Sequence, residues 1–246
     1  MKYNIALIGS PVYHSKSPDI YAKIFRDAHA DGTFTILDIK SIDGIRNIML
    51  DLKIDAFAVT MPHKASIISE LDNLDEAAEF LQSVNFVTIK SGIFKGYSTD
   101  GEGFCRSLDN AKVDINGKKV LIYGTGGAAR AVCYSLINHG ACVSVCGRNP
   151  SHVHSFSDKF GVCEDILSNA SHYDIFINAT PLGMTEQFDN FDFLISETKP
   201  SCVCDLVYSP ANTQLIEYAK NHGIFAMNGL SMLHDQAHLA FSLLLK

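Results

Sequence analysis

The apolar run Lys119–Tyr123 leads straight into Gly124-Thr125-Gly126-Gly127, and a helix-like stretch over residues 128–138 follows at once. A buried strand that turns through glycines into a helix is the opening unit of a dinucleotide-binding α/β half. Glycine lets the backbone bend sharply, and the missing side chains let a pyrophosphate reach amides at the helix N-terminus. Such a turn can also be only a tight turn; the flanking strand and helix favour the cofactor reading. Beyond it the alternation continues, with strands over 142–146, 174–178 and 202–206 and a helix between the first two. That pattern predicts a Rossmann-like half.

The preceding hundred residues alternate in the same way. Strands are expected over 3–8, 34–39 and 56–60, the last broken by Met61-Pro62. Helices are expected over 18–30, 42–52 and 67–81, the first with Ser17 as N-cap and Pro18 at the first helical position. Residues 86–90 and 93–97 read as a hairpin around Ser91-Gly92. A connecting helix over 100–108 and a polar turn over 114–118 mark a change of character near Gly101. The apolar tail, 230–245, reads as an amphipathic helix. The expected fold is therefore α/β. An N-terminal α/β domain (1–101) and a Rossmann-like domain (102–229) would enclose a cleft, with helix 230–246 packing back on the first.

Composition narrows the function. With 246 residues, 47% hydrophobic and 19% charged, the chain can bury a large core. A net charge of −7 argues against a broad nucleic-acid surface, since neutralising phosphates takes clustered Lys and Arg. No apolar run reaches the roughly 18 residues of a membrane span, and the segment closed by Gly9 is too short for a signal-peptide core. The seven cysteines include no CxxC pair. They are expected to be reduced core residues of a cytoplasmic protein, with no metal site.

The second strand of the Rossmann-like half ends at Gly147-Arg148-Asn149, where a NAD-preferring site would carry a carboxylate for the ribose 2′-hydroxyl. A guanidinium there suits a 2′-phosphate, which points to NADP; the other reading is a solvated surface arginine. Asn178-Ala179-Thr180-Pro181-Leu182-Gly183-Met184 follows a strand C-terminus, either offering small polar groups to a ligand or forming an ordinary loop. Ser15 and Ser17, just ahead of a helix, could hold a carboxylate, or Ser17 simply caps the helix. Lys64 stands past the end of a buried strand and Asp100 at the domain junction. Together they could handle the proton of a substrate hydroxyl during hydride transfer; singly, each is an ordinary surface charge. His14 and His63 adjoin these groups.

Taken in order, these stretches resemble a known family. Ser15-Lys16-Ser17-Pro18, Val59-Thr60-x-Pro62-x-Lys64, Val84-Asn85, Thr99-Asp100-Gly101 and Gly124-x-Gly126-Gly127-Ala128 look like the ordered signature of shikimate dehydrogenases. So do Asn178-Ala179-Thr180-Pro181-x-Gly183-Met184, Asp205-Leu206-x-Tyr208-x-Pro210 and Gly229-x-x-Met232-Leu233-x-x-Gln236. The resemblance implies reversible, NADP-dependent reduction of 3-dehydroshikimate to shikimate in aromatic amino-acid biosynthesis. It implies Lys64 and Asp100 as the catalytic pair, and Ser15 and Ser17 on the substrate carboxylate. Thr60, Asn85 and Gln236 would contact ring hydroxyls, and Tyr208 would close the pocket. Gly124, Gly126, Gly127, Ala128, Arg148, Asn178 and Thr180 would hold the cofactor, with Leu206 and Gly229 near its nicotinamide.

Four positions depart from the family pattern: Ala58 and Phe86 stand where Asn and Thr are usual, and Ser98 and Gly147 where Asn is usual. The first two bear on the ring-binding surface, so a relative acting on quinate or another shikimate-like acid is the alternative. A non-catalytic NADP-binding regulator is a further one. The expected partners are small molecules, with no nucleic acid or membrane, for a monomer or homodimer.

Overall fold

The computed structural model describes residues 2–165, 172–184 and 191–246. The chain forms two compact units, Met1–Thr99 with Gln236–Lys246, and Asp100–Asp235.

The first unit contains β1 (Lys2–Gly9), α1 (Ser17–Asp27), β2 (Asp31–Asp38), α2 (Ile45–Asp51) and β3 (Ala56–Val59). A 3-10 turn (Ser66–Glu70), β4 (Asn73–Leu74), α3 (Glu76–Leu81), β5 (Phe86–Lys90) and β6 (Ile93–Tyr97) follow. Its sheet has the order β2-β1-β3-β5-β6-β4, parallel across β2, β1 and β3 and antiparallel across β3, β5 and β6. The β5–β6 hairpin closes through Ser91 (φ 53) and Gly92 (φ 77), the two positive φ angles that a type I′ turn requires. Alternation sends Ala6, Ile8, Phe57, Val59, Val87 and Phe94 to one face, where Ile45 and Met49 of α2 and Ile67 pack. Tyr3 points the other way. Phe241 sits edge-on to Tyr3 (5.6 Å) and Phe25 (5.7 Å), while Tyr21 stacks on Phe34 at 4.5 Å.

Two local expectations are corrected by this unit. Residues 67–81 are not one helix. Asp72 and Asp75 donate their backbone N–H groups to Phe94 and Gly96 carbonyls (both 2.9 Å), so pairing with β6 takes the backbone that helix propagation needed. Nor does Ser17 cap α1. The N-cap is Lys16, without a side-chain bond, and Ser15 Oγ accepts from the Ser17 N–H at 3.2 Å instead.

The second unit runs α4 (Asp100–Asn110), β7 (Lys119–Tyr123), α5 (Gly127–Asn138), β8 (Cys142–Cys146), α6 (Pro150–Phe160) and β9 (Cys163–Glu164). It continues with β10 (Ile175–Asn178), α7 (Asp192–Thr198), β11 (Cys202–Asp205), α8 (Gln214–Asn221) and β12 (Phe225–Asn228). The last helix, α9 (Leu230–Leu245), starts in this unit and ends in the first. The division falls between Thr99 and Asp100, so Asp100 and Gly101 open α4 rather than close the first unit. A Cβ on Gly101 would collide with the Ala131 carbonyl of α5, which is why α4 and α5 pack so closely there.

All pairings in this sheet are parallel, in the order β9-β8-β7-β10-β11-β12, the Rossmann order with its switch point between β7 and β10. Val120, Ile122, Val143, Val145, Ile175 and Ile177 pack on one face against Val132, Leu136 and Phe156. Leu121, Phe176 and Val203 pack on the other against Leu194, Ile195 and Leu215. Burial on both faces explains why these strands read as unbroken apolar runs.

All seven cysteines are free. Five are core residues as expected, whereas Cys142 and Cys163 are exposed because they lie on the β8–β9 edge of the sheet. No helix among the described residues is long and apolar enough to cross a membrane.

Candidate active site

At the end of β7 the chain bends through Gly124, whose φ is 121°. A Cβ there would lie 2.8 Å from Thr180 Cγ2 and 3.1 Å from the Ala179 carbonyl, so only glycine fits. Gly126 and Gly127 serve differently. A Cβ on either would meet nothing within 4 Å. They and Ala128 are exposed at the start of α5, which has no side-chain cap. The bend is thus fixed by one glycine, and the first amides of α5 are left open to an anion by the next residues.

Beside this turn is a cleft of about 600 Å³ lined by Tyr123, Gly124, Thr125, Arg148, Thr180 and Leu182, with Asn149 and His152 also on its wall. Among the described residues, no carboxylate lines it. Arg148 leaves β8 and is exposed; Asn149 caps α6 by accepting from the N–H groups of Ser151 (3.1 Å) and His152 (3.4 Å). A cap of this kind holds Arg148 at the mouth of the cleft and sets His152 in the first turn of the helix. Sequence reasoning missed His152, although the Asn149-Pro150 start signal places it there.

Asn178, read from sequence as a cofactor contact, is completely buried at the end of β10. Its Oδ1 accepts from the N–H (3.1 Å) and hydroxyl (2.6 Å) of Thr180. Its Nδ2 donates to the Leu182 carbonyl (3.2 Å) and Asp205 Oδ1 (2.9 Å). Asn178 therefore shapes the loop from within, and Thr180 is the member that lines the cleft. Burial pushes the Asp205 carboxyl above its usual range, opposed by hydrogen bonds from Thr213, Val207 and Asn178. After β11, Leu206 is held by its N–H to the Asn178 carbonyl (2.9 Å), and a Cβ on Gly229 would collide with the Leu206 carbonyl. Tyr208, half-buried, precedes the cis peptide Ser209–Pro210.

In the first unit, Ser15 Oγ donates to Ser17 Oγ at 3.0 Å, so the two half-buried hydroxyls form one pair. Thr60 follows β3, its N–H bonded to the Ile8 carbonyl (2.9 Å), and a Cβ on Gly9 would strike its side chain. The turn after it closes with the His63 N–H on the Thr60 carbonyl (2.9 Å) and contains the cis peptide Met61–Pro62. Lys64 comes next, half-buried, its carbonyl accepting from the Val84 N–H at 2.8 Å. His63 is buried, with Nε2 at 2.5 Å from the Ile39 carbonyl, and so serves the turn rather than the site.

Asn85 Oδ1 accepts from the Thr99 N–H at 2.7 Å, while its Nδ2 donates to Thr99 Oγ1 (2.9 Å) and Gln236 Oε1 (3.2 Å). Thr99, for which the sequence suggested no role, is thus what orients Asn85 and Gln236. Ala58 lies directly opposite Phe86 on β5 and Leu7 on β1, and Phe86 is fully buried. The face next to Thr60 is therefore apolar. Asp100 is the first residue of α4, in the second unit.

Comparison with known proteins places this arrangement. A model of the shikimate dehydrogenase substrate binding domain matches residues 7–87. A shikimate dehydrogenase (NADP(+)) of Caldanaerobacter subterraneus subsp. tengcongensis is 35% identical over 253 residues, spanning 96% of this chain and 89% of the relative. The chain belongs to the shikimate dehydrogenase family. The Bacillus subtilis shikimate dehydrogenase (NADP(+)) is 33% identical over 99% of this chain and 91% of its own length. Among solved structures, a shikimate dehydrogenase in complex with NADP+ superposes with a TM-score of 0.88 at 31% identity, covering 99% of this chain and 90% of that one. Shikimate 5-dehydrogenase from Thermus thermophilus, in complex with NADP(H) and shikimate, gives 0.87 at 28% identity, covering 98% and 93%.

Proposed function

We propose that the chain is an NADP-dependent shikimate dehydrogenase. It would reduce 3-dehydroshikimate to shikimate reversibly, in the cytoplasm, as a monomer or homodimer. The observation that carries this reading is full-length identity of 30–36% to shikimate dehydrogenases (NADP(+)), with Lys64 and Asp100 both present.

The cofactor's part is to give and accept the hydride. The residues that would hold it are the open first turn of α5 at Gly126, Gly127 and Ala128, with Thr180 alongside and Arg148 for the 2′-phosphate. Leu206 and Gly229 would border the nicotinamide. Ser15 and Ser17 bind the substrate carboxylate through their paired hydroxyls. Thr60, Asn85 and Gln236 meet ring hydroxyls, the last two pre-set by Thr99. In the oxidising direction Lys64 Nζ takes the proton of the reacting hydroxyl as the hydride leaves that carbon. In the reducing direction it returns the proton to the new alkoxide. Asp100 would share in handling that proton, as the family resemblance implies.

One observation favours a second reading. Where the family pattern has Asn and Thr, Ala58 and Phe86 face each other on adjacent strands and leave no side-chain donor there. Loss of one substrate hydrogen bond costs about 1–3 kcal/mol, which would shift preference toward quinate or another shikimate-like acid. A 340 nm assay of shikimate and quinate, each with NADP and NAD, decides between them. Turnover of quinate without shikimate would overturn the first reading. Tight NADPH binding with no turnover would favour a regulator.

A further inference from the structure

Asp205 lies at the end of β11, 1% exposed, and is not among the residues that line the cleft. An ionised carboxylate is acceptor-only, so every donor around it must point inward. Three described groups do. Thr213 donates its hydroxyl to Oδ2 at 2.5 Å, and the Val207 N–H (3.1 Å) and Asn178 Nδ2 (2.9 Å) donate to Oδ1.

The Asn178 contact has a directional consequence. An amide that turns its nitrogen to Asp205 must turn its oxygen away, and that oxygen receives both the N–H and the hydroxyl of Thr180. The Thr180 hydroxyl oxygen, committed as a donor to Asn178, then accepts from the Leu182 N–H at 3.3 Å. Together with the Leu182 carbonyl, which accepts from the same Nδ2 at 3.2 Å, the carboxylate therefore fixes, through one amide, the rotamer of the residue that packs on Gly124 and lines the cleft. Through Val207 it also fixes the start of the segment carrying Leu206.

We propose that Asp205 is a positioning residue for cofactor binding, setting the amide orientation of Asn178 and, through it, Thr180 against the glycine turn. This rests on the reading of the cleft as the NADP site. In Asp205→Asn an amide that keeps its oxygen on Asn178 and Val207 turns its nitrogen to the Thr213 hydroxyl, which can accept it but loses the acceptor for its own proton; the flipped amide turns a donor to the Val207 N–H and draws the Asn178 oxygen away from Thr180. Both outcomes leave a buried donor unmatched.

The test is the dissociation constant of NADPH, read by fluorescence titration of the full chain, with KM for shikimate measured in parallel. Asp205→Asn is expected to weaken NADPH about tenfold, about 1.4 kcal/mol, while KM for shikimate changes less than about twofold. Combined with Thr180→Val, its effect should be strongly non-additive, since both break one chain of bonds. Additive losses, or a folded Asp205→Asn with normal NADPH affinity, would overturn the proposal; a lowered melting temperature alone is what a merely structural residue would give. If Asp205→Asn does not fold, Thr213→Val removes one of the three donors and should weaken NADPH about threefold, about 0.65 kcal/mol. No change in that variant would also overturn it. Wild-type protein that binds no NADPH would instead sink the cofactor reading and this proposal together.

Discussion

Replacing Arg148 by Ala tests the cofactor assignment at the point where the physics is simplest. The side chain lies at the mouth of a cleft with no carboxylate among its described lining residues, so none of those residues competes for the guanidinium. Charge-assisted hydrogen bonds to a 2′-phosphate are worth about 1.5–3 kcal/mol. Arg148 is exposed, however, and water and salt screen exposed pairs, whose typical value is about 0–1 kcal/mol. Between these limits, about 1.5 kcal/mol is a reasonable loss, or about a tenfold fall in kcat/KM for NADP. The same quantity for NAD should change by less than about twofold, because NAD presents no phosphate to that side chain. The assay is initial rate at 340 nm with saturating shikimate and either cofactor, at low and at high salt. The NADP loss should shrink at high salt, as screening weakens the wild-type contact. Equal losses for NADP and NAD would refute the reasoning, because Arg148 would then be shaping the loop. No loss for either would make it a solvated surface charge.

Lys64→Ala should lower kcat by about two to four orders of magnitude with KM for shikimate little changed, if the lysine serves the transition state; near-normal kcat would reject its role. His154 bonds Glu164 at 2.7 Å and pairs with Asp158 at 3.4 Å, contacts that raise its pKa above the ordinary 6.5. A raised folded-state value means that the stabilisation is fully present below about pH 6.5 and is lost as pH rises through the folded value. The difference in urea midpoint between wild type and His154→Ala should therefore be larger at about pH 6 than at about pH 9; the opposite trend would contradict the assignment. Burial pushes the Cys105, Cys133 and Cys146 thiols up to about 12, whereas Cys142 and Cys163 are exposed. Iodoacetamide on the native protein should label Cys142 and Cys163 first, by peptide mass mapping, and the rest only after unfolding.

Legibility from sequence followed burial. β7 and β8 can be read to the residue because parallel strands whose middles are covered on both faces carry a buried apolar run, here Val120–Ile122 and Val143 with Val145–Cys146. The α1 start was nearly right in place but wrong in mechanism. Both Ser15 and Ser17 are capping residue types, and only the backbone direction shows which one meets the N–H. The stretch 67–81 failed for a sharper reason. Ile67, Ile68, Leu71, Leu74, Ala78 and Leu81 recur at helical spacing, and periodicity alone answers to that spacing. The bonds from Asp72 and Asp75 to β6 are long-range and leave no local trace.

The same distinction separates residues that meet a ligand from residues that frame it. Asn178 and Thr180 stand in one family-like motif and Asp205 in the next, and the resemblance gives the first two the same cofactor role and Asp205 none. Burial divides them differently: Asn178 and Asp205 are sealed off with their bonds satisfied inside the protein, while Thr180 is half-buried on the cleft wall. A sealed polar group can influence a ligand only by fixing the geometry of another that reaches it. Its substitution should then alter affinity without altering which cofactor is preferred. Substitution of Arg148 should alter the preference as well, because that side chain reads the phosphate itself. Measuring NADP and NAD side by side in Asp205→Asn and Arg148→Ala separates framing from recognition. A change of cofactor preference in Asp205→Asn would mean that the frame and the reading group are not distinct in this chain.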